Sequence, residues 1–426
     1  MPARRHQAEE KLHPVPENNG VASLSRPRLV VVAALGTSQT LAWASSYYLP
    51  AVLADPISAA IGVPPSWVFA AFSAALLIAA ITGPRVGRMI DRHGGRGVLV
   101  FSNVVLAGGL AALACASGPV SLFIAWAILG IGMALGLYDA GFATLTALYG
   151  ADARGPITGI TLLAGFASTL SWPLSSLLDD AAGWRGTCLV WAALNLFVGL
   201  PVNRFLVPRP APPVRAPDAT AAAVGWQPRK EMLLIAFVFA AAWFVTGSMA
   251  AHLPRLLELA GATPFAAIAA AALVGPAQVA ARILEFVILR RIHPLVSARI
   301  AATLHPIGAA ALGFMGAAGA VPFAVLYGAG NGLVTIARGT VPLAIFGSQA
   351  YGERTGLIGA PARAAQALAP LTFGLLLDAM GLGSVVISAG LCLAALTALL
   401  FLRASTTSSK EAPRNRTGHV SPTSVR

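Results

Sequence analysis

The chain has 426 residues, of which 57% are hydrophobic and 11% charged, with a mean hydropathy of +0.74 and a formal net charge of +13. So little charge cannot cover a water-soluble globule of this size, which leaves lipid as the solvent for most of the surface. The 29 Lys and Arg against 16 Asp and Glu sit in short segments between apolar runs and form no single patch, so they report topology and exclude a nucleic-acid-binding face.

Residues 1–27 mix both charges with Pro14, Pro16 and Pro27 and hold no apolar core before a small-residue cleavage pattern. They are expected to form a disordered cytoplasmic arm, not a signal peptide. Beyond them, apolar runs recur that can cross ~30 Å of hydrocarbon, for which ~20 helical residues suffice. Spans 1 to 6 are predicted over 28–54, 65–90, 97–117, 119–147, 155–178 and 184–206. Spans 7 to 12 are predicted over 231–256, 264–289, 296–318, 320–347, 355–377 and 382–403. The fold class is an all-α membrane protein of twelve transmembrane helices. Residues 207–230, Pro-rich and basic, are expected to be a cytoplasmic linker between an N-terminal bundle (28–206) and a C-terminal bundle (231–403), and 404–426 a disordered cytoplasmic tail.

Basic residues orient the chain. The far side holds only Arg185 and Arg255, and Arg282, Arg338 and Arg363 fall inside spans; the other Lys and Arg lie in the tails, the linker and the loops after spans 2, 4, 8 and 10. Both termini are therefore expected on the cytoplasmic side of the cell inner membrane. The two bundles echo one another: "YLPAVLADP" in span 1 answers "HLPRLLELA" in span 7, "GLYDAG" answers "TIARG", "STLSWPLSSLLD" answers "AQALAPLTFGLLLD", and "GRMID" answers "ARILE". Such duplication is a transporter architecture, with the solute near the midplane between the halves.

The loop after span 2 reads "GRMIDRHGGR". Its Gly residues suit a tight turn and close helix approach, and Asp91 can accept hydrogen bonds at a helix end. Gly87, Asp91, Arg92 and Arg96 in this spacing resemble the signature of the major facilitator superfamily, and the twelve-span pattern extends that resemblance along nearly the whole chain. The resemblance implies that Asp91, Arg92 and Arg96 latch the halves together on the cytoplasmic side as gate parts. The family's pattern often ends in two basic residues; here the second is Gly97, so one contact is expected to be missing. The resemblance also implies that spans 1, 4, 7 and 10 line the cavity.

Ionisable groups within the membrane are expensive and need a reason. Asp139, Arg338 and Arg363 each lie about eight or nine residues, or ~12–14 Å, from the cytoplasmic end of their spans. They suit either a gating ion pair or an anion site. Arg363 with Gln366 makes a helical stripe whose planar donors match a carboxylate; pairing with Asp139 is the alternative. Arg338 follows "GAGNG", in which Asn331 is placed near the midplane as a binding candidate. On span 1, Gln39, Trp43 and Tyr47 share a face, either as cavity wall or as packing. His252 in span 7 is a candidate proton carrier with Asp139, or a structural histidine.

No Walker motif, metal-ligand cluster or cofactor motif is present; Cys115, Cys188 and Cys392 are scattered singly. The expected function is secondary transport of a small solute, an organic or inorganic anion, by alternating access with proton coupling, in a monomer that is not an enzyme. The alternative is efflux of toxic compounds such as trivalent arsenicals. It rests on the similarity of the segments in spans 1 and 5 to bacterial resistance exporters, and thiol ligation would want cavity cysteines.

Overall fold

The computed structural model describes residues 27–209 and 230–402. Nearly all of the expected arm at 1–27, most of the 207–230 linker and the tail at 404–426 lie outside the described residues. The N-terminal half comprises α1 (Arg28–Ser45), α2 (Pro50–Ile61), α3 (Pro65–His93), α4 (Gly95–Ala114), α5 (Pro119–Gly136), α6 (Tyr138–Tyr149), α7 (Arg154–Ala164) and α8 (Ala167–Leu194). Two π-helical turns, Asn195–Gly199 and Val202–Leu206, complete it. The C-terminal half comprises α9 (Lys230–Leu259), α10 (Pro264–Ala272), α11 (Val274–Val287), α12 (Pro294–Met315), α13 (Ala320–Phe346), α14 (Tyr351–Met380) and α15 (Ser384–Phe401).

The turns between these helices are consistent with twelve passes, six in each half of the described chain. Nine helical stretches are long and apolar enough to cross a membrane, and those of 46, 53 and 51 residues run through a turn into the next pass. Four spans are broken where continuous helices were expected. Pro50 lacks the N–H that a helix needs, so span 1 opens at Ser46 between α1 and α2, and the Ser46 hydroxyl donates to the Ala42 carbonyl (2.6 Å). Span 4 breaks at an extended Leu137 between α5 and α6. Span 5 divides between α7 and α8, and span 8 between α10 and α11. Spans 5 and 6 are joined within α8 through Gly183, whose φ of 69° only glycine adopts without strain.

Both ends of the described chain lie at one face, tied together by hydrogen bonds. Arg28 donates to the Asp152 carbonyl, Arg154 to the carbonyls of Leu289 (3.1 Å) and Ile292 (2.5 Å), and Arg299 to that of Leu402 (3.0 Å). At this basic face one core runs through both halves, joining Val31, Ile90 and Ile157 to Val341, Tyr351 and Ile358. Away from it each half keeps its own core, around Leu53, Trp126 and Trp191 in one and Leu256, Phe323 and Phe373 in the other. The halves are thus closed on each other at the basic face.

Candidate functional site

The break in span 4 creates the central feature. Extended Leu137 puts Asp139 in the first turn of α6, where backbone N–H groups and the helix dipole favour a carboxylate. The same break strips the Gly136 carbonyl of its helical partner, and the Gln39 side chain of α1 donates to it (2.6 Å). Gln39 is fully buried in that task. It is not among the residues lining the central cavity, a correction to its place as cavity wall: its amide nitrogen is committed to the Gly136 carbonyl.

Asp139 faces two guanidinium groups across the interface between halves. Its Oδ2 accepts from Arg338 of α13 (2.8 Å) and pairs with Arg363 of α14. Arg363 also donates to the Ala79 carbonyl of α3 (3.2 Å), and the Arg338 guanidinium lies 5.0 Å from the Trp243 ring of α9. Gly359 sits beneath the trio; a Cβ there would stand 3.0 Å from Arg338 Nη2 and 3.2 Å from Asp139 Oδ2. All three ionic side chains are about nine-tenths buried.

These groups border a partly open cavity, with about 370 Å³ of atom-free space, that Trp43, Tyr47, Tyr138 and Gln366 also line. Tyr47 enters it because the chain opens after Ser45, and its hydroxyl accepts from the Gln366 amide. The cluster holds one formal negative and two formal positive charges. Among the described residues, Arg338 donates only to Asp139, and Arg363 only to Asp139 and Ala79. A guanidinium offers five donors, so both retain capacity for a planar oxyanion. The sequence had paired Asp139, Arg338, Arg363, Gln366, Trp43 and Tyr47 with this region, and the fold brings them together.

Asn331 stands elsewhere. Its amide oxygen accepts from Thr246 (3.0 Å), and it lines a separate cavity inside the C-terminal half. The sequence expectation of a central binding residue is corrected, because Asn331 faces into the C-terminal half and not toward the central cluster. His252 meets the Pro370 carbonyl of α14 (2.7 Å), within its own half, and is likewise absent from the central cavity lining.

At the basic face, Asp91 accepts from the backbone N–H groups of Gly352 and Glu353, each at 2.8 Å. It caps α14 from the opposite half, which is why that helix begins at Tyr351 and not at 355. Arg88 pairs with Glu353 (3.0 Å). Gly87 allows the approach: a Cβ there would fall 1.9 Å from the Gly352 carbonyl oxygen. Arg92 closes the last turn of α3 and Arg96 opens α4, so the expected loop shrinks to Gly94. Neither arginine has a hydrogen-bond or ion-pair partner among the described residues, unlike Arg88.

A second latch mirrors the first. Glu285 of α11, 1% exposed, pairs with Arg154 at the start of α7 (2.9 Å) and accepts from Ser297 (2.7 Å). Arg282 donates to the Thr161 carbonyl (3.2 Å). Sequence reasoning missed Arg88, Glu353, Arg154 and Trp243. A signal for two of them, Arg154 and Glu353, existed, since "YGADARG" (149–155) opens span 5 as "AYGERTG" (350–356) opens span 11.

None of the three cysteines borders the central cavity; Cys115 is exposed and Cys188 and Cys392 are buried elsewhere. No group of three His, Cys, Asp or Glu among the described residues could hold a metal ion.

A family model described as "Major Facilitator Superfamily" matches residues 35–342. Among solved structures, the human organic anion transporter MFSD10 (TETRAN) is 17% identical, with a TM-score of 0.66, covering 88% of this chain and 100% of that one. The E. coli fucose:proton symporter FucP is 16% identical, with a TM-score of 0.68, covering 88% and 99%. At such identities these structures share the fold alone. A Thermoproteus tenax protein described as "Uncharacterized 38 kDa protein in 23S RNA operon" is 28% identical over 153 residues, 36% of this chain and 40% of that relative's length.

Proposed function

This chain belongs to the Major Facilitator Superfamily, and from that premise we propose that it is a proton-coupled secondary transporter of a small anion, working by alternating access. It is a transporter and not an enzyme. The observation that carries the anion reading is the central cluster, in which one carboxylate faces two buried guanidinium groups. A buried charge without a partner is costly, so the surplus positive charge selects a solute that brings a negative one. Trp43, Tyr47 and Gln366 give that solute an aromatic and amide wall.

The same geometry gives proton coupling a route. The anion and Asp139 compete for the guanidinium donors; a displaced Asp139, losing its counter-charge, takes up a proton and leaves the cluster charge unchanged. With the basic face cytoplasmic by the distribution of Lys and Arg, the arrangement described is closed to the cytoplasm and its halves part toward the outside. Asp91, Arg88 and Glu353 on one side, and Arg154 and Glu285 on the other, are then the cytoplasmic gate. The chain works as a monomer in the cell inner membrane, with both termini cytoplasmic.

The test is uptake into proteoliposomes of a panel of small organic monocarboxylates beside neutral and cationic analogues of the same size, with and without a pH gradient. Uptake of a monocarboxylate that rises with an inward proton gradient is the expected result. Uptake of neutral or cationic compounds alone would overturn the reading.

A further inference from the structure

Among the described residues, the hydrogen bonds between halves that lie farthest from the basic face stand just beyond the ion cluster. Gln366 of α14 donates to the Tyr47 hydroxyl, and the Ser73 hydroxyl of α3 donates to the Ala367 carbonyl (3.3 Å). The order of contacts along the helices fixes their depth. Helix α3 descends toward the basic face while α14 climbs away from it, so Asp91 meets Gly352, Ala79 meets Arg363 and Ser73 meets Ala367 in succession. Gln366 stands three residues past Arg363, or ~4.5 Å along the helix, and Tyr47 follows Trp43 in the same direction on span 1. The Tyr47–Gln366 bond therefore crosses from half to half on the side of the cluster away from the basic face, and both residues line the central cavity.

Each partner sits where its span is irregular. Tyr47 lies in the gap between α1 and α2. Its ring is held edge-on by Trp43 (4.9 Å), Tyr48 (5.3 Å) and Phe72 (5.4 Å), which leaves the hydroxyl as its polar end. Four residues after Gln366 comes Pro370, inside α14; it has no N–H, so the Gln366 carbonyl lacks its helical donor. Gly247 of α9 packs there, where a Cβ would stand 3.0 Å from that carbonyl oxygen. A helix loosened at this point can turn the Gln366 amide away from Tyr47. Within the cavity that these residues line, a water's centre can reach about 20 Å³, room for one or two waters at ~10–15 Å³ each.

We propose that the Tyr47–Gln366 bond is the outer gate and the size filter of the central site. Intact, it holds a short carboxylate, formate or acetate, against Arg338 and Arg363; it breaks for the solute to exchange with the outside. The inference rests on the anion reading above and deepens it, by limiting the solute to the shortest carboxylates. A longer chain, such as that of butyrate, has no room beneath the intact bond.

The experiment compares uptake of formate, acetate and butyrate into proteoliposomes by the full chain, as wild type, Tyr47→Phe and Gln366→Leu. Wild type is expected to favour acetate over butyrate by about tenfold or more. Tyr47→Phe keeps the ring contacts and loses only the hydroxyl, so it should lower that ratio about fivefold, the worth of one neutral hydrogen bond. Gln366→Leu makes the same test should the first variant fail to fold. Because both changes remove one bond, the double variant should lower the ratio no further than either alone. A second arm needs no solute. Ala79→Cys places a thiol in the cavity wall beside Arg363, in a chain whose exposed Cys115 is replaced by Ser. On intact cells it should react with an impermeant thiol reagent about fivefold faster when Tyr47→Phe is added. A wild-type ratio near one overturns the filter, and variants whose ratio and labelling rate match wild type overturn the gate. If wild type takes up no carboxylate, the anion reading and the filter fall together, and the labelling arm still decides the gate.

Discussion

Asp139 neutralises only half of the positive charge that surrounds it, and its removal gives the sharpest reading of the site. In Asp139→Asn the two arginines lose their carboxylate. Stranding a buried partner typically costs ~3–5 kcal/mol, so the melting temperature should fall and recover when the transported anion is added. Concentrative uptake driven by a pH gradient should vanish while anion exchange across the membrane persists. Arg363→Ala should abolish anion binding by equilibrium dialysis; normal binding in that variant would remove the anion site. A third residue reports acid sensitivity. His293 caps α12 by accepting from the Leu295 N–H (3.2 Å). Burial, and then Arg154 and Arg299, push its imidazole below the ordinary 6.5. The unfolded chain therefore binds the proton more readily. The contribution is complete above about pH 6.5 and declines as the pH falls through that value toward the folded one. Thermal unfolding of His293→Asn, whose cap does not titrate, should depend less on pH between about 5 and 7 than the wild type. At this scale the sequence exposed the cost of intramembrane charge, which singles out Asp139, Arg338 and Arg363. It could not tell which way an uncharged Gln39 or Asn331 points, because rotation about a helix is set by the neighbours it packs on.

Helix breaks do the positioning. Pro50 opens span 1 and frees Tyr47 for the cavity; Leu137 opens span 4 and places Asp139 at a helix start. Proline 50 is legible from the sequence, but the Leu137 break is not, since nothing in "GLYDAG" forbids helix and Gln39 compensates for it from another span. The α14 start has the same character: its first turn is held by Asp91 from the opposite half. Replacing an N-cap acceptor typically costs ~0.5–2 kcal/mol. Asp91→Ala should therefore weaken the closed basic face, leaving the solute dissociation constant within about twofold and slowing turnover, as stopped-flow exchange in proteoliposomes would register. A large loss of affinity in that variant would place Asp91 in the binding site instead.

The two halves share one core at the basic face and hold separate cores away from it. Transport on the proposed cycle requires that shared core to part. Arg88→Cys and Glu353→Cys put two thiols where long side chains now meet across the interface (3.0 Å between their charged atoms), so a reducible bifunctional thiol reagent spanning that gap should cross-link them and arrest transport, and a reductant should restore it. A cross-linked protein that still transports would show that the latch does not open during the cycle.

Sequence alone determined the solvent, the twelve spans, the duplication and the loop signature, because these follow from hydropathy, spacing and charge counted along the chain. It also determined that three charged side chains inside the spans need partners. The tertiary structure decided which groups those partners are, that Arg88 and not Arg92 or Arg96 bridges to the other half, and that Asn331 serves a different cavity. The physical reason is common to all three. Burial cost is a property of a residue, whereas the atom that relieves it comes from a segment distant in sequence, fixed only when the bundles pack.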